Sequence, residues 1–259
     1  MALYNKQEIT AIIPTKNEKA NIINCLKSVS WCDSILVIDN YSTDKTASLA
    51  QKMGVRVIKH HLKSDFSKQR NFALKQAQTR WVFFVDADER VSKKLALEIQ
   101  KFIQHADQEG YTGAFIIRQD SIFGKKIHYG EFGKIKLLRL GRRVGKWQGK
   151  AHEIWTFPGR KATFKNSLYH YPHPNLTEFL GKVNLYTTLR AEELYQQKVK
   201  TNSLSIILYP FAKFFQNYCY RLGFLEGSTG FVLAILMSFH SFLVRAKLWV
   251  LWRQRGGWR

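Results

Sequence analysis

The sequence predicts an α/β fold, a doubly wound and mostly parallel sheet followed by an insertion and a helical carboxy-terminal segment. Two observations support this prediction. Apolar runs alternate with amphipathic stretches through the first hundred residues, and strand–helix–strand order indicates parallel pairing. In addition, the run from Trp81 to Val85 contains five bulky apolar residues without alternation, which is typical of a strand buried on both faces.

Four strands and the helices between them follow from these patterns. The predicted strands are the segments ITAIIP, SILVID, VRVI and WVFFVD. One helix is expected on the face formed by Ile22, Leu26 and Val29. Two more are expected after Thr43 and after Ser92, because both residues are good helix N-caps.

The pattern changes after about Gly110. The short strand-like runs GAFIIRQ and IKLLRL are separated by basic connections that contain glycine, which predicts an insertion over the carboxyl edge of the sheet. The prolines of YPHPNL then interrupt the chain near Tyr171. The segment from Leu176 to Lys198 is predicted to form a helix.

The chain is strongly basic, with 41 Lys and Arg residues against 19 Asp and Glu residues and a formal net charge of +22. Such a surface attracts phosphate-bearing partners, so nucleic acid, anionic membrane and phosphorylated substrates all remain open. The three cysteines form neither a paired disulfide framework nor a ligand cluster. A reducing compartment is therefore expected.

Three carboxylates follow the apolar run directly, at Asp86, Asp88 and Glu89. Parallel sheets bind ligands beyond the carboxyl ends of their strands, and clustered carboxylates repel one another unless water or a cation lies between them. Asp86 and Asp88 are therefore predicted to hold Mg²⁺ or Mn²⁺ together with a diphosphate. The alternative is the start of a helix, which explains Glu89 better than it explains Asp86.

Polar residues also lie at or beside the other predicted strands. Asp39 ends SILVID, where a carboxylate can accept hydrogen bonds from a nucleobase or a ribose. Pro14 ends the first strand and Lys16 and Glu18 follow it, although each alone also fits a helix cap or a solvated turn. Arg70 precedes the fourth strand, where a guanidinium can bind a diphosphate or lie on a basic helix face.

The final sixty residues are rich in aromatic, aliphatic and basic residues. Their longest uncharged run, Gly227 to Val244, is shorter than the roughly 20 apolar residues of a confident spanning helix. Basic residues interleaved with Trp and Phe indicate helices in a membrane interface, and a buried helical subdomain is the alternative. A break is expected at GSTG. Most of six apolar residues are expected on one helical side before it: Phe211, Phe214, Phe215, Tyr218, Leu222 and Phe224.

Taken together, these motifs resemble family 2 glycosyltransferases with the GT-A fold. The resemblance rests on Lys16-Asn17-Glu18, Asp39, Gln69-Arg70-Asn71, Asp86-Ala87-Asp88 and the segment GKAHEIW. The carboxy-terminal segment from YPFAKFF to RAKLW narrows it to bacterial enzymes that add a sugar, often glucose, to the inner core of lipopolysaccharide. The resemblance covers nearly the whole chain.

The resemblance implies a role for each residue of the donor site. Asp39 is expected to contact the nucleoside, Asp86 the ribose or the metal, and Asp88 the metal that bridges the diphosphate of a UDP-sugar. The metal is Mg²⁺ or Mn²⁺. Four further residues are expected to bind the donor: Pro14, Lys16, Glu18 and Arg70.

On the acceptor side, the resemblance implies that Glu153 is the catalytic base. Many members of the family carry this base in an acidic pair, whereas here His152 precedes a single glutamate. Glu153 lies among Trp147, Trp155 and Phe157 in sequence, and these aromatic residues are expected to shape a sugar-binding surface.

The resulting expectation is a metal-dependent, inverting hexosyltransferase that moves a hexose, expected to be glucose, from a UDP-sugar to a lipopolysaccharide inner-core acceptor. Residues 1–110 are expected to bind the donor, residues 111–175 the acceptor, and residues 176–259 the anionic, cytoplasmic face of the bacterial inner membrane, where the acceptor is lipid-linked. A polyprenyl-phosphate glycosyltransferase is the first alternative. A nucleic-acid-binding protein is the second, and no nucleic acid is expected because no recognised module is present.

Overall fold

The computed structural model describes residues 8–61, 65–149, 153–173 and 175–255. The chain forms two compact units. The first comprises Met1–Arg118 and Ile135–Tyr171, and the second comprises Gln119–Lys134 and Pro172–Arg259. The three functional parts expected from the sequence stay a prediction, because these units are defined by compactness and not by what they bind.

The first unit contains the parallel strands that the sequence predicts. They are β1 (Ile9–Thr15), β2 (Ser34–Asp39), β3 (Arg56–Lys59) and β4 (Trp81–Phe84). Their order is β3-β2-β1-β4, and every neighbouring pair is parallel. The helices that connect them are α1 (Ile22–Ser28), α2 (Thr46–Lys52) and α3 (Phe66–Gln76). The strand–helix alternation of the sequence is therefore confirmed as a doubly wound, parallel half-sheet.

Strand β4 is covered on both faces. All residues from Trp81 to Val85 are fully buried, as their unbroken apolar run predicts. Phe83 belongs to the apolar cluster that includes α1 and α4 (Lys93–His105), whereas Phe84 belongs to the cluster that includes α3. Ser92 caps α4 by accepting a hydrogen bond from the N–H of Leu95, which confirms the predicted cap. Burial of each such side chain contributes about 1.5–3 kcal/mol.

Beyond β4 the sheet continues as an antiparallel half. Its strands are β5 (Glu89–Val91), β6 (Tyr111–Ile122), β7 (Lys125–Lys126), β8 (Ile135–Arg142) and β11 (Arg160–His173). The order is β4-β8-β6-β11-β5, with β7 paired to β6. Strand β8 lies antiparallel to β4, with Leu140 opposite Phe83. A separate antiparallel pair is formed by β9 (Lys146–Gln148) and β10 (Ile154–Thr156). The runs GAFIIRQ and IKLLRL are thus confirmed as strands.

The described part of the second unit is mainly helical. Its helices are α5 (Leu176–Gln196), α6 (Ser203–Phe215) and α7 (Gly227–Gln254). A π-helical turn at Gln216–Tyr220 and a 3₁₀ turn at Gly223–Glu226 lie between α6 and α7. Helix α5 confirms the helix predicted from Leu176. Two apolar clusters join α5 to α7, one around Phe179 and Leu233 and the other around Leu194 and Leu248.

The break between α6 and α7 precedes GSTG, which instead forms the first turn of α7. A Cβ atom on Gly230 would lie 1.9 Å from the carbonyl oxygen of Gly223, so only glycine allows this approach. Glu226 is buried beside it, and its Oε1 accepts hydrogen bonds from the N–H groups of His128 (2.6 Å) and Tyr129 (3.1 Å). Close backbone packing and a buried acid therefore fix the position of the break.

Many large apolar side chains of α6 and α7 are exposed. Helix α6 has no buried residue. The exposed residues include Leu204, Ile207, Leu208, Phe211 and Phe215 on α6 and Phe231, Val232, Ile235, Phe239 and Phe242 on α7. The prediction that most of the six apolar residues between Phe211 and Phe224 lie on one side of a single helix is wrong. Helix α6 ends at Phe215, and the rings of Phe214 and Tyr218 contact the ring of Phe231. The segment Gly223–Gln254 is long and apolar enough, by length and composition, to cross a membrane.

Candidate active site

The carboxyl ends of β1, β2 and β4 lie beside one another at one edge of the sheet. Thr15 pairs with Asp39 in the register of β1 and β2, and the N–H of Val85 donates to the carbonyl oxygen of Ile12. This register brings Asp39 and Asp86 to the same edge, although they are far apart in sequence. Parallel sheets bind their ligands at this edge.

Asp39 is fully buried and organises the turn after β2. Its carboxylate accepts hydrogen bonds from the N–H of Ser42 (3.0 Å), from Ser42 Oγ (2.5 Å) and from Thr15 Oγ1 (3.4 Å). An aspartate that binds its own turn in this way stabilises the loop at the end of the strand. The contact of Asp39 with a nucleoside stays a prediction.

Three of the predicted donor-site residues lie at the end of β1 and in the loop that follows it. Pro14 is half-buried within β1, and Lys16 is exposed at the bend that follows. The N–H of Glu18 donates to Thr46 Oγ1 (2.7 Å), and Glu18 Oε2 accepts from Asn21 Nδ2 (2.8 Å). Glu18 therefore ties the start of α1 to α2, while Lys16 presents its charge to solvent. Their roles in donor binding stay predictions.

Arg70 joins the donor-side carboxylate to the predicted base. Its Nη2 donates to Asp86 Oδ1 (2.8 Å), and its Nε donates to Glu153 Oε1 (2.7 Å). The guanidinium lies over the ring of Trp147, 4.7 Å from the centroid, and is buried. The structure thus brings Arg70, Asp86 and Glu153 together, although they come from α3, the end of β4 and the residue before β10.

A second guanidinium, that of Arg139 on β8, holds the other side of Asp86. Arg139 Nη2 lies 2.6 Å from Asp86 Oδ2 and 3.3 Å from Glu89 Oε1. Glu89 Oε2 in turn accepts from the N–H of Asp86 (2.8 Å). The result is a buried chain of charges that runs Glu153, Arg70, Asp86, Arg139, Glu89. The sequence analysis did not identify Arg139. The feature that could have indicated its role is a charged residue inside the apolar run IKLLRL.

The pKa values in this chain follow from burial and from the neighbouring charges. Burial alone would raise the pKa of Asp86, but Arg139 and Arg70 outweigh it and hold this pKa well below its usual range. Burial lowers the pKa of Arg139, but Asp86 and Glu89 reverse the shift and raise it. Burial raises the pKa of Glu89, and the charge of Asp86 adds to the rise against the opposing charge of Arg139. Asp86 and Arg139 are therefore both charged at neutral pH.

Asp88 has different neighbours from Asp86. Its Oδ2 lies 3.4 Å from Nε2 of His170 on β11, and its carbonyl oxygen accepts from the N–H of Tyr171 (2.9 Å). An oxygen and a nitrogen donor at this separation suit two ligands of one divalent cation, with substrate oxygens as further ligands. Sequence reasoning missed His170, whose only signal was a histidine among the aromatic residues of LYHYPH.

Asp86 fits a cation less well than Asp88 does, because both of its carboxylate oxygens bind guanidiniums whose charges oppose a metal ion. Within residues 8–61, 65–149, 153–173 and 175–255, no group of three or more His, Cys, Asp or Glu side chains is arranged to hold a metal. The metal roles of Asp86 and Asp88 therefore stay predictions, and His170 is the further side chain that lies beside Asp88.

The aromatic residues near Glu153 do not form an exposed sugar-binding surface. Trp147, Trp155 and Phe157 are buried. The rings of Trp147 and Trp155 stack at 5.5 Å, and both meet the ring of Phe84 edge-on. They cover the second face of β4, where their burial is more favourable than exposure to water. His152, which precedes the predicted base, lies outside the described residues.

A family model described as glycosyl transferase family 2 matches residues 10–171. An uncharacterized glycosyltransferase of Rickettsia bellii is 28% identical over 255 residues, which cover 93% of this chain and 86% of that protein. The lipopolysaccharide core biosynthesis glycosyltransferase LpsC of Rhizobium meliloti is 28% identical over 258 residues, which cover 94% and 93%.

The fold agrees with this family. The crystal structure of residues 1-349 of TarS from S. aureus in complex with UDP-GlcNAc has a TM-score of 0.50 at 15% identity, over 96% of this chain and 92% of that one. The chain of charges and nearly all of the parallel half-sheet and its antiparallel extension lie within the region that the family model matches. The chain therefore belongs to glycosyl transferase family 2.

Proposed function

We propose that this glycosyltransferase is metal-dependent and inverting, and that it moves a hexose, glucose in our expectation, from a UDP-sugar to a lipopolysaccharide inner-core acceptor. One observation supports the assignment above the others. The carboxylate of Glu153 lies 2.7 Å from a guanidinium that also binds Asp86 at the end of β4. A candidate base and the predicted donor site therefore meet within the reach of one arginine side chain.

The donor would bind across the strand ends. Arg70 Nη1 is buried and has no hydrogen-bond partner among the described residues, and we propose that it donates to a diphosphate oxygen in the donor complex. Asp39, Pro14, Lys16 and Glu18 lie on the neighbouring strand ends and loop, where we place the nucleoside. The TarS protein was crystallised with UDP-GlcNAc, and we extend the nucleotide-sugar class to this chain.

A divalent ion, Mg²⁺ or Mn²⁺, would be held by Asp88 and His170. The two side chains supply one oxygen and one nitrogen donor. Such an ion offsets the negative charge that develops on the leaving diphosphate. Asp86 would neighbour this site and hold Arg70 toward the donor, and its own contact with the ribose or the metal stays a prediction.

The transfer would proceed by one displacement. The acceptor hydroxyl gives its proton to Glu153 while its oxygen forms a bond to the anomeric carbon of the donor sugar. The bond from that carbon to the diphosphate oxygen breaks, and its electron pair leaves with UDP. A single displacement from the opposite face inverts the configuration at the anomeric carbon. Arg70 keeps the Glu153 carboxylate oriented toward this proton.

The acceptor class rests on the relative LpsC, whose name places it in lipopolysaccharide core biosynthesis. A polyprenyl phosphate is the second candidate acceptor. It is favoured by α7, whose 28 residues span about 42 Å at 1.5 Å per residue, longer than the hydrocarbon core of a bilayer. Against a simple spanning role, α5 packs along one side of α7 within the second unit.

We further propose that the second unit binds the anionic, cytoplasmic face of the bacterial inner membrane. Phe211 and Phe215 are 61% and 59% exposed, and they belong to the larger exposed apolar surface of α6 and α7. Arg253 and Arg255 lie at the end of α7, where cations meet headgroups. Lys247 is not one of these membrane-facing cations, because its Nζ donates hydrogen bonds to Asn184, Thr187 and Thr188 within the second unit.

The reaction is tested with the purified chain and a panel of nucleotide sugars in the presence of Mn²⁺. The donor should raise the melting temperature, and UDP should be released when deacylated lipopolysaccharide core is added. Release with a polyprenyl phosphate and not with core oligosaccharide would favour the second candidate. A chain that neither binds any nucleotide sugar nor releases UDP would contradict the proposal.

Membrane binding is tested by flotation of the full chain with liposomes. Vesicles with about a third phosphatidylglycerol should bind the chain, and binding should weaken in high salt. Replacement of Phe211 and Phe215 by aspartate should abolish flotation. Leu97→Asp is the matched control, because Leu97 is an exposed apolar residue of α4 in the first unit. Equal binding to neutral vesicles, or flotation of the double variant, would contradict an anionic-membrane role for α6.

A further inference from the structure

We infer that Arg139 is a positioning residue for sugar transfer, and that it acts on Glu153 through Asp86 and Arg70. The inference rests on the proposed function, because it takes Glu153 as the base. It also gives Asp86 a role that differs from the metal ligand expected from the sequence. Two residues, Asp86 and Arg70, lie between Arg139 and Glu153, and the positioning effect passes through both of them.

The links of this chain are short and buried. The side chains of Arg139 and Arg70 are each 7% exposed, and that of Glu153 is 13% exposed. Arg139 lies 2.6 Å from Asp86, Asp86 lies 2.8 Å from Arg70, and Arg70 lies 2.7 Å from Glu153. The side chain of Asp86 is 27% exposed, so water reaches this member of the chain more than the two arginines. Water therefore cannot readily replace a lost partner of the guanidiniums, and a displaced side chain displaces the next one.

Arg70 alone does not define the orientation of Glu153. It binds Glu153 through Nε and Asp86 through Nη2, which together form one edge of the planar guanidinium. The position of Asp86 Oδ1 therefore sets the rotation of the plane that carries Nε. Arg70 provides the hydrogen bond that the described residues make to the Glu153 carboxylate. A rotated guanidinium would move this carboxylate away from the acceptor hydroxyl.

Arg139 prevents the carboxylate of Asp86 from rotating. A carboxylate that is held at one oxygen only can rotate, whereas Asp86 is held at Oδ1 by Arg70 and at Oδ2 by Arg139. Arg139 is itself held by Glu89, which is fully buried and also accepts the N–H of Asp86. The strand residue Arg139 thus transmits the rigidity of the sheet to a base that directly precedes β10.

The experiment measures UDP release with water as the acceptor, using whichever UDP-sugar most raises the melting temperature with Mn²⁺. Arg139→Lys keeps the charge but replaces the planar fork with a single ammonium. We expect kcat to fall about 10- to 100-fold at an unchanged KM for the donor, the scale of a misplaced catalytic group. In a Glu153→Gln background the same substitution should change kcat less than about twofold, because the group that it positions is already lost.

Arg142→Lys is the matched control. It is the same substitution on the same strand, but Arg142 pairs with Asp107 and stacks on Trp81. It should leave kcat unchanged in both backgrounds. If Arg139→Lys fails to fold, Arg139→Met combined with Glu89→Gln removes one charge of each sign and serves in the same comparison.

Three outcomes would overturn the inference, and they are distinguishable. Equal losses from Arg139→Lys in the wild-type and Glu153→Gln backgrounds would show a general structural role and leave the proposed function standing. A wild-type rate in Glu153→Gln alone would remove the base assignment, and the inference with it. No UDP release by the wild type from any UDP-sugar, either with water or with deacylated lipopolysaccharide core as the acceptor, would remove the proposed function as a whole.

Discussion

Asp86→Asn is expected to destabilise the ligand-free protein strongly, which is the opposite of what a cluster of repelling carboxylates predicts. Asparagine keeps the shape of the side chain but removes the charge that Arg70 and Arg139 both face. Two buried guanidiniums would then lack their shared counter-ion, because Glu89 and Glu153 each contact only one of them.

The size of the effect follows from the burial of these groups. Removing one partner of a buried ion pair costs about 3–5 kcal/mol. The Asp86 side chain is 27% exposed, so we take the lower end, about 3 kcal/mol. One kcal/mol shifts the Tm of a protein of this size by about 2–4 °C, and the expected fall is therefore about 6–12 °C. If repulsion among Asp86, Asp88 and Glu89 dominated, the same substitution would leave Tm unchanged or raise it.

The assay is thermal unfolding followed by circular dichroism at neutral pH, with a chelator present so that no cation contributes. Asp88→Asn is the matched control, because it makes the same change two residues away at a side chain that is 15% exposed and paired with His170. It should shift Tm by much less than Asp86→Asn does. A Tm of Asp86→Asn equal to or above that of the wild type would refute the chain of charges.

Three further predictions concern single residues. Asp88→Asn should lose Mn²⁺-dependent binding of UDP, measured as the loss of the thermal shift that UDP and Mn²⁺ produce together. Burial raises the pKa of Glu89, so its stabilising contribution is present below the unfolded pKa and lost as pH rises through the folded pKa. The stability of Glu89→Gln relative to wild type, measured by denaturant titration, should therefore increase as pH rises. Gly230→Ala should cost about 1–3 kcal/mol because its Cβ would meet the backbone of Gly223, whereas Gly181→Ala, with open space around it, should stabilise by about 0.5–1 kcal/mol.

Local patterns were sufficient to predict the parallel half of the sheet. The unbroken apolar run from Trp81 to Val85 could only be satisfied by burial on both faces, and the order of strands and helices left parallel pairing as the consistent arrangement. The Ser92 cap was predictable because it depends on residues within one turn of helix. Short stretches of sequence determine features of this kind, and most of the strands and helices of the parallel half could be predicted from them.

The contacts of the site could not be predicted in the same way. Arg139 reaches Asp86 because β8 pairs antiparallel with β4, and this pairing joins segments that no local pattern connects. His170 reaches Asp88 through the pairing of β11 with β5. The break before α7 was misplaced for a related reason. GSTG suggested a turn by composition, whereas the close approach of Gly223 and Gly230 and the burial of Glu226 set the actual position.

The balance of charges at the site explains why we retain a metal in the proposed reaction. The sequence indicated that the acidic cluster needs water or a cation, and the protein itself supplies Arg70 and Arg139 to Asp86. These guanidiniums are already shared with Glu153 and Glu89, so they bring no excess positive charge. A donor diphosphate would add negative charge beside four carboxylates, with Arg70 Nη1 as the remaining buried donor of that guanidinium. This balance supports the metal that we propose, for which Asp88 and His170 would supply an oxygen and a nitrogen ligand.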